Sequence, residues 1–85
     1  MLYRIYTENK NQKAIEKIVS KAFEGFTIYK AKGFWRLQSE KSLIIEIATP
    51  GISKELVNKI ARDIKKANKQ ESVLVQEIKN NNWLV

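Results

Sequence analysis

Eighty-five residues make one domain, too short to enclose a deep pocket by itself, so a groove, a sheet face or a subunit interface is the easier place for a site. A hydrophobic fraction of 44% supports a packed core, while the absence of cysteine and histidine removes disulfides, thiolate metal ligands and serine–histidine or cysteine–histidine nucleophiles. The net charge of +7 favours anionic partners, but 13 of the 16 basic residues are lysine, and only three arginines offer the planar fork on which nucleic-acid sites lean.

Residues 2–7 are rich in aromatic and branched side chains and predict a first strand. Residues 8–11 form a polar break in which Asn9 and Asn11 are N-cap candidates. Ala14, Ile15, Ile18, Val19, Ala22 and Phe23 recur at helical spacing, which predicts a helix over 11–24 with Gly25 as its C-terminal glycine. Residues 26–31 alternate and predict a second strand. Gly33 marks a bend or bulge in it, 34–37 extend it, and 39–42 read as a turn. Residues 43–48 predict a third strand, apolar on both faces and therefore central.

Pro50 and Gly51 make a sharp turn, and Ser53 is an N-cap with Glu55 in the first helical turn, where the helix dipole favours it. Leu56, Val57, Ile60, Ala61, Ile64 and Ala67 mark one face of a helix over 54–69, leaving Lys59, Arg62, Lys65, Lys66 and Lys69 outward. Residues 72–78 predict a fourth strand, 80–82 break it, and Trp83, Leu84 and Val85 form an apolar tail.

The order is βαββαβ, and an internal repeat supports it. A shift of 42 positions superimposes Ile5 on Ile47, Thr7 on Thr49, Ile15 on Val57, Lys17 on Lys59 and Ile18 on Ile60. A doubled βαβ unit predicts an α+β, ferredoxin-like sandwich in one domain over 1–85. Its four-stranded antiparallel sheet has the order 4-1-3-2, with two helices on one face and the other face open to solvent, a ligand or a second protomer.

Aromatic and basic residues share the strands: Tyr3, Tyr6, Tyr29 and Trp35 with Arg4, Lys30, Lys32 and Arg36. On an open sheet face, such residues are how RNA-recognition domains stack bases and hold phosphates. Lys32, Gly33 and Phe34 resemble the opening of the RNA-recognition octamer. Trp35 stands where that motif has a small residue and Arg36 where it has a stacking aromatic, and the stretch extends the second strand instead of lying on the third. The same aromatics packed under the helices or in a dimer interface need no ligand. Polar residues at strand ends and connections add Arg36, Glu40, Gln70 and Glu71 to Tyr3, Tyr29 and Trp35 as candidates for binding a ligand or partner. Glu40, Glu46, Glu71 and Glu77 come from different elements, and Glu77-Ile78-Lys79 matches only the short E-x-K fragment of metal nucleases. No catalytic residue, metal site or cofactor is assigned.

Three blocks together resemble a group of small uncharacterised proteins of bacteria, their phages and mobile elements: 25–29 with 33–35, 40–47 and 68–75. The resemblance implies an accessory role and names no ligand. The expectation is therefore a non-enzymatic binding or interaction protein, forming a homodimer through the open face or the tail, with single-stranded nucleic-acid binding as the alternative. The longest apolar run is Leu43, Ile44 and Ile45 and the chain opens on no signal peptide, so a cytoplasmic location without a membrane partner is expected.

Overall fold

Strand alternation decides which residues the helices cover, and the register of the strands shows where that alternation leads. The structure is a computed structural model and describes residues 2–48 and 51–79; the side chain of Trp35, the segment 49–50 and the predicted tail lie outside the described residues. Six elements follow in the order β1 (Leu2–Glu8), α1 (Gln12–Ala22), β2 (Thr27–Trp35), β3 (Gln38–Ile47), α2 (Lys54–Asn68) and β4 (Leu74–Ile78). The strands form one antiparallel sheet in the order β2-β3-β1-β4, the predicted topology with β3 in a central position.

On β1 and β3 the helix-facing residues sit directly opposite one another: Tyr3 with Ile47, Ile5 with Ile45, Thr7 with Leu43. These six are all buried and close over Ile15, Val19 and Phe23 next to α1 and over Val57, Ile60 and Ile64 of α2. Truncating one of the fully buried isoleucines to alanine in such a core costs about 2–5 kcal/mol. The core therefore takes one side of the sheet, and among the described residues no element covers the other.

Several boundaries differ from the sequence reading. α1 ends at Ala22 because Phe23 turns to extended backbone and enters the core, while its N–H still reaches Val19 O at 3.0 Å. Gly25 accordingly has no left-handed cap to fill, and Gly51 is the glycine with positive φ among the described residues. Asn11 does occupy the N-cap position of α1, but at φ 51° its side chain caps nothing there. It donates instead to Ala67 O at 3.3 Å and Asn68 Oδ1 at 3.4 Å. Ser53 caps α2 as predicted, accepting from Leu56 N at 3.0 Å.

The largest correction concerns the β2–β3 hairpin. Residues 39–42, predicted as a turn, lie within β3, and the chain reverses at Arg36 and Leu37. Both take positive φ, 51° and 66°, the type I′ geometry that two-residue hairpins usually give to Asn-Gly. Gly33 stays in register opposite Glu40 without a bulge; a Cβ there would meet Ser42 Oγ at 3.1 Å. β1 pairs with β3 only as far as Ser42, so the rungs from Lys32 opposite Lys41 to Trp35 opposite Gln38 project as a two-stranded ribbon.

Candidate functional site

The face of the sheet opposite the helices is built by the residues that alternate with the core. One cross-strand row holds Tyr29, Ile44, Tyr6 and Leu74, from β2, β3, β1 and β4 in turn. Tyr29 is 38% exposed and Leu74 62%, with Tyr6 and Ile44 half-buried between them. The next row is polar: Thr27, Glu46, Arg4 and Gln76. Arg4 Nε lies 3.6 Å from Glu46 Oε1, and Tyr6 donates its hydroxyl to Gln76 Oε1 at 2.9 Å. The Tyr6 hydroxyl, followed by the Glu46 carboxylate, holds the Arg4 guanidinium above its already high ordinary pKa. Arg4 is thus a charge balanced within its own row. An aromatic and aliphatic stripe beside a neutral polar row is a surface suited to another protein surface.

The aromatic and basic constellation is divided by the sheet. Tyr3 is 3% exposed and lies in the core, since it and Tyr6 are three residues apart on one strand and must face opposite sides. Tyr6 and Tyr29 share the open face. Lys30 stands opposite the core residue Leu43, so Lys30 and Lys32 belong to the helix-side face of the hairpin, away from Arg4. Arg36 is in the reversing turn, and Trp35 is the last residue of β2, opposite Gln38. The four cations Arg4, Lys30, Lys32 and Arg36 therefore do not ring one aromatic surface.

The polar candidates separate as well. Glu40 is exposed on the projecting ribbon opposite Gly33, and Glu71 is exposed after α2. Gln70 belongs to a network that joins the end of α2 to the end of β1. Asn68, 3% exposed, donates to Gln70 Oε1 at 2.7 Å, to Thr7 Oγ1 at 3.1 Å and to Glu8 O at 3.4 Å. Thr7 Oγ1 donates to Gln70 Oε1, and Gln70 Nε2 donates to Ser72 O at 3.2 Å. These bonds satisfy each other, so the cluster reads as a clasp between elements. Asn68 and Thr7 escaped the sequence reading because a buried polar residue shows in sequence only as an interruption of the apolar pattern.

Glu46 pairs with Arg4 on the open face, Glu77 lies opposite Tyr3 on the helix side, Glu40 is on the projecting ribbon and Glu71 follows α2. Among the described residues no three acidic side chains gather into a metal-binding group. A shallow groove of about 270 Å³ runs between α2 and β4, lined by Asn58, Ala61, Arg62, Lys65, Ser72, Val73 and Val75. Arg62 and Lys65 make it basic. Among the described residues no helix is long and apolar enough to cross a membrane.

No protein-family model and no curated protein matches the chain. Solved structures do. A DUF3240 family protein from Shewanella baltica is similar over 99% of this chain and 94% of its own, with 17% identity and a TM-score of 0.68. A phage SAM lyase, solved in the apo state, is similar over 87% of this chain and 75% of its own, with 20% identity and a TM-score of 0.58. CPII, a nitrogen regulatory PII-like protein from Thiomonas intermedia solved with ADP, AMP and bicarbonate, is similar over 98% of this chain and 93% of its own, with 18% identity and a TM-score of 0.63. A regulatory protein and a lyase both stand on this backbone, so the likeness is one of fold: the chain has the ferredoxin-like α+β fold of these small proteins.

Proposed function

We propose that this chain is a small non-enzymatic binding protein that self-associates, as a homodimer, through the open face of its sheet. The observation that supports this reading is the row of Tyr29, Ile44, Tyr6 and Leu74, which no other element of the described residues covers. Leaving such a stripe in water forgoes about 25 cal/mol for each Å² of apolar surface a second copy would cover. The adjoining Arg4 and Glu46 carry balanced charge, which tolerates an identical surface, as a two-fold interface requires. The single-stranded nucleic-acid alternative asks for cations around the same aromatics, and the placement of Lys30 and Lys32 on the other face gives it less support. The accessory role in a phage or mobile element rests on the sequence resemblance and belongs to the same reading.

Sedimentation velocity of a Tyr29→Glu/Leu74→Glu variant tests the face. Both positions are exposed, so circular dichroism should show an unchanged fold while the sedimentation coefficient drops to that of a single chain. Association that survives both charges places the interface elsewhere.

A second reading is favoured by the basic groove between α2 and β4 together with the nucleotides carried by the Thiomonas protein. In it, Arg62 and Lys65 hold the phosphates of a small anionic ligand. ADP should then raise the melting temperature, and an Arg62→Ala/Lys65→Ala variant should lose that rise. No shift with ADP up to millimolar concentration ends this reading.

A further inference from the structure

The β2–β3 ribbon carries a second unpartnered surface, unlike the open face in both position and charge. Its reversing turn places Leu37 fully in solvent, at 101% of its reference exposure, and Phe34 one rung back is 70% exposed. Behind them, on the face that carries Phe34, Lys32 and Lys41 stand directly opposite each other, with Lys30 two residues further along β2. Like charges at a directly opposed cross-strand pair are destabilising. Among the described residues no ion pair reaches any of these three lysines, and Glu40 alternates onto the other face. Lys32 leans over Phe34, its Nζ 5.6 Å from the ring centroid, so the cation and the aromatic edge the same surface. The turn is made by two non-glycine residues with positive φ, a conformation that costs of order 1 kcal/mol or more per residue. The Leu37 side chain, held out by this strained backbone, buries no surface in the fold. Such a feature calls for a partner that the isolated chain lacks.

We propose that this ribbon is a peripheral docking element for an anionic bilayer surface, with Leu37 and Phe34 entering the interface and Lys30, Lys32 and Lys41 meeting lipid phosphates. The spacing fits that occupant. Three rungs separate the Lys32 and Lys41 pair from the last pair before the turn, about 10 Å at ~3.4 Å per residue, which matches the ~5–10 Å depth to which interfacial elements bury their apolar side chains. Lysine stems are long enough to keep their ammonium groups at the phosphate level while the tip goes deeper. An aliphatic leucine at the extremity suits a hydrocarbon layer, which rewards apolar area and asks for no hydrogen bond. The contact is peripheral and independent of the open-face association, since the lysines and Phe34 lie on the opposite side of the sheet from Tyr29 and Ile44. It departs from the sequence expectation of no membrane partner.

Co-sedimentation with vesicles tests it, using phosphatidylcholine alone and phosphatidylcholine with phosphatidylglycerol in equal parts. The full chain should pellet with the anionic vesicles only, and less as salt is raised. Replacing one lysine, as in Lys32→Gln or Lys41→Gln, should lower partitioning about fivefold. Leu37→Ser should lower it about tenfold with the lysines intact. All three sites are exposed, so the variants keep their fold, which circular dichroism checks. The proposal is overturned if anionic vesicles fail to bind the chain, if Leu37→Ser binds them as well as the parent, or if a single-stranded oligonucleotide binds through the three lysines while the vesicles do not.

Discussion

Tyr3 is the phenol that the core encloses. Burial raises its phenol pKa above the ordinary 10.0, and the Glu77 and Glu55 carboxylates nearby push it further in the same direction. A group whose folded pKa lies above its unfolded one adds stability that is whole below the unfolded value and is lost as pH rises through the folded value. Thermal unfolding of the parent chain should therefore fall to lower temperature as pH climbs past 10, and Tyr3→Phe should remove that part of the alkaline slope. An unchanged slope in the Phe variant would mean that another group drives it. Placing Tyr3 among the site candidates shows where residue-level reading stops: aromatic identity says nothing about which side of a strand a ring takes. The parity of Tyr3 and Tyr6 was visible, but choosing the buried member required knowing that Ile5 lies in the core.

The elements divide in the same manner between what a pattern carries and what packing decides. α2 was legible because its apolar spacing, its Ser53 cap and its lysine-rich outer face all agree, and only the last residue differs. The hairpin was misread because polar residues 39–42 look like a turn while the actual reversal, Arg36 with Leu37, contains neither glycine nor asparagine. Backbone strain at that reversal gives a measurable consequence. Leu37→Gly should stabilise the chain by about 1 kcal/mol in a denaturant titration, since glycine takes positive φ without a Cβ clash. The same change should weaken vesicle binding, because it removes the exposed side chain. A less stable Leu37→Gly chain would show that the turn is held by contacts of Leu37 and not merely tolerated.

For the whole molecule, the topology was legible because the two halves repeat one strand–helix pattern, and a doubled βαβ unit has few ways to bury two amphipathic helices. The open face follows from that topology. Its composition did not follow, since Ile44 belongs to a strand apolar on both sides and Leu74 to an edge strand whose register only pairing with β1 reveals. The proposed self-association rests on the stripe these residues form, on the side of the sheet opposite its own helices. Static light scattering on the unmodified chain over a wide concentration range tests this most directly. Dimerisation predicts a mass that rises from the 9.9 kDa of one chain toward twice that value, and reaches it at lower concentration when salt is high. A mass that stays at 9.9 kDa through the whole range would contradict it.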